Sequence, residues 1–136
     1  MILDFVPSER LDIARRGIEA YNSGDLEALF ELLDEDVEAV VPDGMANAGT
    51  YHGHHGFRRM TKDWGEAWGE FRVDIEDLIE EGDAVIAPVM QRARGRGSGV
   101  ETQMHAVHLM RFRRGRMYRW RLCETLDEAE RHAHDP

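Results

Sequence analysis

Two long alternating segments joined by a basic turn constrain the fold of this chain more than any other feature. The segments are 101–112 and 117–124, and the turn between them reads Arg113-Arg114-Gly115-Arg116. Because side chains two apart lie on the same face of a strand, each segment predicts a strand with one largely apolar face. That face carries Thr102, Met104, Ala106, His108, Met110 and Phe112 on the first strand, and Tyr118, Trp120, Leu122 and Glu124 on the second. An apolar face with one or two ionisable groups is typical of the lining of a small-molecule cavity.

Length and composition indicate one globular domain spanning residues 1–136. The chain is 42% hydrophobic and 32% charged, which is typical of a folded protein with a substantial core. No segment approaches the roughly 18 apolar residues of a membrane helix, and the first residues do not resemble a signal peptide. The single cysteine, Cys123, excludes an internal disulfide and suits a reducing compartment. We therefore expect a cytoplasmic protein with no membrane partner.

The charge is unevenly distributed along the chain. The net charge is −10, yet residues 92–121 contain nine Arg and a single acid, Glu101. Such a basic strip is a feature of nucleic-acid-binding proteins, but the acidic remainder would repel phosphate. Arginines on the outer face of a sheet, paired with Asp74 and Glu76 on a neighbouring strand, explain the strip better. We expect no nucleic-acid partner.

Capping residues and apolar spacing predict three helices in the first half of the chain. The first begins at Pro7-Ser8-Glu9, with Ser8 as N-cap, and ends at residues 22–24. Asp25 caps a shorter second helix. The third extends over about residues 55–69, and its apolar stripe consists of Phe57, Met60, Trp64 and Trp68.

The other predicted elements are mostly strands. A short strand, 37–41, precedes a loop, 43–53, and further strands lie near 71–76 and 85–93. Pro88 interrupts the last of these, so we expect a bulge or an unpaired edge there. Residues 127–132 are a candidate for a final helical turn. This order predicts an α+β fold, a cone-shaped α+β barrel in which three N-terminal helices pack on a curved, mostly antiparallel sheet and enclose a cavity.

Several short motifs resemble those of one protein superfamily. They are Tyr21-Asn22-Ser23-Gly24-Asp25-Leu26, Tyr51-His52-Gly53, Glu81-Gly82-Asp83, Gly97-Ser98-Gly99-Val100 and the run 108–115. On these residues the chain resembles the nuclear transport factor 2-like superfamily, and within it the SnoaL-like polyketide cyclase group. The resemblance spans nearly the whole chain and implies a homodimer formed through the outer face of the sheet. It is not specific for function, because this fold carries enzymes, binding proteins and subunit-docking modules.

The enzymes that the chain resembles are ketosteroid isomerase, scytalone dehydratase and limonene epoxide hydrolase. Alignment of Met110-Arg111-Phe112 with ketosteroid isomerase puts His108 at the position of its oxyanion-binding Asp. The Tyr of the first helix falls on Gly17 and the catalytic base on Val41, so steroid isomerisation is not implied. The Asp-Arg-Asp set of limonene epoxide hydrolase also has no evident match here.

His108 is the main candidate for chemistry. Its strand face favours a neutral imidazole, which near its ordinary pKa of about 6.5 exchanges protons at working pH. SnoaL-like cyclases pair a pocket acid with a pocket His, which implies Asp43 or Glu124 as the partner. Asp43 would remove a proton next to a carbonyl while His108 stabilises the enolate. The alternatives are a buried structural His, a turn-forming Asp and a solvated Glu.

Other side chains are predicted to contact a ligand. They are Gln91, Trp64, Trp68, Met60, Met104, Met110, Tyr118 and Trp120. Gln91 is the polar member of its strand face, and it binds either a ligand or a neighbouring group of the protein. The tryptophans offer flat surfaces to an apolar or aromatic molecule. We therefore expect a small hydrophobic molecule in the cavity.

The sequence does not favour a metal or a cofactor. Three imidazoles, His52, His54 and His55, lie close together, but no nearby carboxylate or Cys completes a ligand set. Cys123 has no evident base beside it, which disfavours nucleophilic catalysis. No glycine-rich phosphate loop precedes a helix, so no nucleotide site is expected.

Three functions are compatible with these features. The first is a cofactor-free cyclase, isomerase or dehydratase, with His108 as acid or oxyanion donor. The second is a non-catalytic binding protein in which the same residues orient a ligand. The third, a subunit-docking module, requires an exposed apolar patch, whereas the outer sheet face is rich in arginine.

Overall fold

The architecture is a curved seven-stranded sheet with helices packed against it. In a computed structural model, residues 8–45 and 47–135 are described. The elements are α1 Glu9–Ser23, α2 Leu26–Glu31, β1 Leu33–Val41, β2 Gly49–His52, α3 Gly53–Ala67, β3 Trp68–Ile75, β4 Ile79–Glu81, β5 Ala84–Gly95, β6 Glu101–Arg113, β7 Arg116–Cys123 and α4 Leu126–Ala133. Among the described residues, no helix is long and apolar enough to cross a membrane.

The strand order explains how the sheet curves around the helices without closing. The order is β2-β1-β7-β6-β5-β3, and β4 pairs with β5 beside β3. The β1–β7 pair is parallel, and the other pairs are antiparallel. The predicted α+β class, with helices on a curved, mostly antiparallel sheet, is confirmed. The sheet is open rather than a closed barrel, because the strands at its two ends, β2 and β3, are not neighbours.

The first two helices follow the predicted capping pattern in part. The Asp25 carboxylate accepts a hydrogen bond from the backbone N–H of Ala28 at 3.2 Å, as expected of an N-cap. Ser8 occupies the N-cap position of α1 but makes no capping bond, because its hydroxyl donates to the Glu80 carboxylate at 2.6 Å instead. Pro7, part of the predicted helix start, lies outside the described residues.

The loop and strand boundaries differ from the prediction around β1. The strand begins at Leu33 rather than at Val37, with a register shift before Glu38 in its pairing with β7. The predicted loop 43–53 contains β2, which pairs with β1 as a short hairpin arm. This strand begins with a glycine and has only four residues, which is too few for a clear alternation pattern.

A helix on the outer face of the sheet is the main departure from the predicted layering. α4 packs its Ala129 and Ala133 against Ile86 and Leu109, which point away from the other helices. Residues 84–87 are consequently buried on both faces of β5. The final helical turn expected at 127–132 is thus a helix with a structural role, and not all helices lie on one side.

A bulge in the last hairpin changes which side chains of β7 face inward. Met110 pairs with Trp120 and Arg111 with Arg119, but Phe112 pairs with Met117, so one residue is skipped. A β-bulge of this kind reverses the alternation on one strand. Met117 therefore takes the inward position that alternation assigned to Tyr118.

The irregularity expected at Pro88 is found in the neighbouring strand. The Pro88 carbonyl accepts the backbone N–H groups of both Glu76 and Asp77. These residues lie in the gap between β3 and β4, so the break in pairing falls opposite the proline. β5 itself continues to pair with β6 through this position.

Candidate functional site

A cavity of about 100 Å³ lies between α1, α3 and the inner face of the sheet. It far exceeds the roughly 10–15 Å³ that one water molecule requires. Most of the described side chains that line it are aliphatic or aromatic. The polar groups among them belong to Tyr21, Thr61, Trp64, Gln91, His108 and Trp120. An apolar space with a few polar groups is the usual form of a small-molecule site.

His108 is the ionisable side chain deepest in this lining. It is 6% exposed, and neither ring nitrogen has a hydrogen-bond partner. Its ring meets that of Trp120 edge to face, with centroids 5.1 Å apart. Burial lowers the pKa of His108 to about 4, so the imidazole is neutral at neutral pH. The expected pKa near 6.5 is therefore wrong, and the ring offers one N–H donor and one acceptor instead of a readily exchanged proton.

Gln91 is the second buried polar side chain of the lining. It is 4% exposed, and its Oε1 has no hydrogen-bond partner. β5 places it between Val73 of β3 and Met104 of β6. The indole Nε1 of Trp64, from α3, is also buried without a partner. Buried polar atoms are normally hydrogen-bonded, so these three side chains need an explanation.

Aromatic rings form two walls of the cavity. At one end Phe57 meets Trp120, with centroids 6.5 Å apart. At the other end Phe71 lies 5.2 Å from Trp64 and 6.1 Å from Tyr21, both edge to face. Burial raises the pKa of Tyr21 to about 12, so its hydroxyl stays protonated.

The two predicted carboxylate partners do not reach the cavity. Asp43 and Glu124 are both exposed, and neither belongs to the lining. Asp43 follows Pro42 in the turn after β1, and Glu124 follows the last residue of β7. The backbone N–H of Glu124 donates to the Glu128 carboxylate of α4 at 3.1 Å. Among the described residues, no carboxylate lines the cavity with His108.

Three predicted ligand-contacting side chains also lie outside the lining. Met104 is 40% exposed, because β7 pairs with β6 from Val107 onward and does not cover this part of the strand. Tyr118 points outward because of the bulge. Trp68 begins β3 instead of continuing α3, and its ring lies beside Trp64 at 6.5 Å. The predicted residues that do line the cavity are Gln91, Trp64, Met60, Met110 and Trp120.

Comparison with known proteins identifies the family. The sequence matches the SnoaL-like domain over residues 14–120. The chain belongs to this family. No curated protein matches the sequence significantly.

The SnoaL-like domain is similar to several solved structures. One is a nuclear transport factor 2-like protein of unknown function from Burkholderia pseudomallei, with 25% identity, a TM-score of 0.81, and coverage of 95% of this chain and 100% of that chain. TerC, co-crystallised with polyporic acid, has 22% identity and a TM-score of 0.80, with coverage of 91% and 97%. IdmH from Streptomyces antibioticus, described as a putative polyketide cyclase, has 22% identity and a TM-score of 0.72, with coverage of 85% and 91%.

The SnoaL-like domain has lining residues that the strand pattern did not predict, and Gly17 is the most informative. A Cβ placed on Gly17 would lie 3.7 Å from Leu29 Cδ1 and 3.9 Å from Leu32 Cδ1. Any larger side chain would enter the cavity. Glycine inside a helix costs about 1 kcal/mol relative to alanine, so its position on the apolar face of α1 was a sequence signal for required space.

The three neighbouring histidines of this domain separate in space. The Nε2 atom of His54 is 3.0 Å from the Leu33 carbonyl oxygen, and His52 Nδ1 is 3.7 Å from a Glu38 carboxylate oxygen. Within residues 8–45 and 47–135, no group of three His, Cys, Asp or Glu side chains is placed to hold a metal ion. Cys123 is buried, and burial raises its pKa to about 12, which leaves the thiol unreactive at neutral pH.

Proposed function

We propose that this SnoaL-like domain binds a small, flat, largely apolar molecule that presents a carbonyl or hydroxyl group to His108. The observation that supports this most strongly is the imidazole with two unpartnered nitrogens in an apolar cavity. An unsatisfied buried polar group costs about 1–3 kcal/mol. A ligand that supplies a hydrogen bond removes this penalty. A protein that binds no ligand would be more stable with an apolar residue at this position.

The relatives support a small organic ligand of this kind. TerC was crystallised with polyporic acid, and IdmH is described as a putative polyketide cyclase. Both have the same fold as this chain. The aromatic walls formed by Phe57 with Trp120 and by Trp64 with Phe71 are suited to stacking against a flat molecule.

A cofactor-independent cyclase, isomerase or dehydratase is the alternative, and a neutral imidazole limits what it would do. His108 would donate its N–H to a substrate carbonyl oxygen as negative charge develops there. A base for proton removal is not found among the described lining residues, since Asp43 and Glu124 lie outside. Binding is therefore the function that the cavity supports best, and the predicted general acid–base pair has no geometric support.

A homodimer is proposed as the assembly. It rests on the resemblance to the superfamily, with contact through the outer face of the sheet. Sedimentation equilibrium would give twice the 15.6 kDa mass of the chain if the proposal is right. A monomer mass at micromolar concentration would contradict it.

Blocking the cavity tests the binding proposal. We expect para-phenylphenol, a flat apolar molecule with one hydroxyl, to bind the wild-type protein in a calorimetric titration. Gly17→Phe would fill the space beside Leu29 and abolish binding, and Gly17→Met is a smaller version if the first variant folds poorly. Gly65→Phe is the matched control, because a side chain there meets open space. Absence of binding to the wild type, or equal binding to the blocked variant, would contradict the proposal.

A further inference from the structure

We propose that the ligand has two polar ends, and that Gln91 and Trp64 hold a hydroxyl group at the end remote from His108. This inference rests on the proposed function, since it concerns the same cavity. It adds a second anchor and defines the ligand as an elongated molecule with a hydrogen-bonding group at each end.

The strand register sets the distance between the two anchors. His108 of β6 pairs with Ala87 of β5, and Gln91 lies four residues further along β5 on the same face. Four residues of extended chain span about 13 Å. A single functional group does not bridge such a distance, so the two buried side chains require two separate polar groups on the ligand.

Gln91 and Trp64 belong to the same end of the cavity. Val73 pairs with Gln91, and Phe71 pairs with Ala93, so Phe71 is the diagonal neighbour of Gln91. Diagonal neighbours on a sheet are roughly 7–8 Å apart. The ring of Trp64 lies against Phe71, with centroids 5.2 Å apart. Phe71 therefore places the indole and the amide on the same stretch of lining.

Among the residues that line the cavity at this end, the unsatisfied atoms are an acceptor and a donor. Gln91 Oε1 accepts a hydrogen bond, and Trp64 Nε1 donates one, and neither has a partner in the protein. A hydroxyl group is the simplest ligand group that donates to the first and accepts from the second. A carboxylate is disfavoured, because no Lys or Arg is among the described lining residues to balance its charge.

Thr61 provides a natural comparison at the same cavity. Its hydroxyl already donates to the Arg58 carbonyl oxygen at 2.9 Å within α3. Thr61 lines the cavity but its donor has a partner, so it is not expected to contribute to hydroxyl recognition. Thr61→Val therefore removes a lining polar group of similar size without removing an anchor.

The test uses three ligands of one shape: biphenyl, para-phenylphenol and para,para′-biphenol. For the wild type we expect each added hydroxyl to strengthen binding about fivefold to tenfold. Gln91→Met replaces the amide by an apolar chain of similar length, and we expect it to reduce the advantage of the second hydroxyl to about twofold or less. Trp64→Phe should weaken the same preference, and Thr61→Val should leave it as in the wild type.

The outcomes separate the two proposals. If biphenyl and para-phenylphenol bind but the second hydroxyl adds nothing, the two-ended ligand is wrong and the binding function stands. If Gln91→Met and Thr61→Val keep the full preference of the wild type, Gln91 is not the anchor and the inference is also wrong. If none of the three ligands binds the wild type, both proposals fail.

Discussion

The polar side chains Asp74 and His105, on the outer face of the sheet, have hydrogen-bond partners in the protein, whereas His108, on the inner face, has none. On the outer face Asp74 accepts hydrogen bonds from Arg72 and Arg92, each at 2.6 Å, and His105 lies 3.2 Å from the Glu76 carboxylate. On the inner face His108 has no partner at either nitrogen. These outer groups are thus satisfied by their neighbours in the fold, whereas the inner one is not. We infer that the paired outer groups have a structural role and that the unpaired imidazole in the cavity has a role in binding.

The pKa values of the two faces change for different reasons. Hydrogen bonds from Arg92 and Arg72 lower the pKa of Asp74, which is a stabilising interaction with its charged form. The low pKa of His108 comes from burial alone, which opposes its charged form. The same direction of shift therefore reports a satisfied ion pair outside and an isolated group inside.

Lowering the pH should destabilise the folded protein because of the buried His108, and this is the largest effect that we expect. The pKa of His108 is 6.5 when unfolded and about 4 when folded. Between these values the unfolded state binds more protons than the folded state. The stability that depends on a neutral His108 is therefore present above pH 6.5 and is lost as the pH falls toward 4. We expect the difference in unfolding free energy between the wild type and His108→Leu to change by about 3 kcal/mol across this window.

Urea unfolding at several pH values measures this difference, and subtracting the variant removes the contribution of the surface carboxylates. A difference that is constant from pH 7 to pH 4 would show that His108 is solvated or paired in the folded protein.

Removing a hydrogen-bond acceptor from the outer face should lower the free energy of unfolding by a smaller amount. Asp83 accepts hydrogen bonds from Arg111 at 3.3 Å and from Tyr118 at 2.9 Å. Asp83→Ala leaves both donors without this acceptor, and we expect a loss of about 1–3 kcal/mol in unfolding free energy. Affinity for para-phenylphenol, measured by calorimetry, should not change. A loss of affinity comparable to that of an inner-face variant would remove the distinction between the two faces.

Replacing His108 on the inner face should instead raise the free energy of unfolding at neutral pH. His108→Leu replaces an imidazole with two unsatisfied nitrogens by an apolar side chain among apolar neighbours. We expect the unliganded protein to gain about 1–2 kcal/mol, because the desolvation penalty disappears. Thermal and urea unfolding at pH 7 measure it. A destabilisation of similar size would mean that the ring has a structural partner.

The smallest expected effect concerns the free space beside Gly17 of α1. Gly17→Ala adds a methyl group that meets Leu29 and Leu32 at ordinary contact distances. Better helix propensity should raise the unfolding free energy by about 0.5–1 kcal/mol. Urea unfolding checks this value, and Gly65→Ala in α3 is the control for propensity without packing. A destabilised Gly17→Ala would show that no free space exists beside α1.

Alternation in the sequence predicted much of the inner face. It placed His108, Met110, Trp120 and Gln91 on the face that lines the cavity. It failed for Tyr118, because the register shift in the last hairpin depends on how the turn closes, with Arg114 and Gly115 both at positive φ. Local alternation contains no information about such a shift.

Tertiary placement limited the prediction elsewhere. Met104 lies on the predicted face of β6, but β7 pairs with β6 only from Val107 onward, so Met104 lies on a part of the strand that extends past β7. Asp43 and Glu124 are near strand ends, and the position of a strand end relative to the helices is set by packing between distant segments. The sequence did not predict α4 as an outer layer, because Val107 and Leu109 stand between His105 and Arg111 on the outward-facing positions of β6. In the structure these two apolar residues pack against α4.

The most direct test of the central claim compares para-phenylphenol and para,para′-biphenol on the wild type and on His108→Leu by calorimetry. The two ligands differ only in the second hydroxyl, so their affinity ratio reports one polar contact and not the apolar fit. If the unpaired imidazole binds a ligand, the second hydroxyl should strengthen binding about fivefold to tenfold in the wild type and about twofold or less in the variant, where only the Gln91 end remains. The same ratio in both proteins would contradict the account.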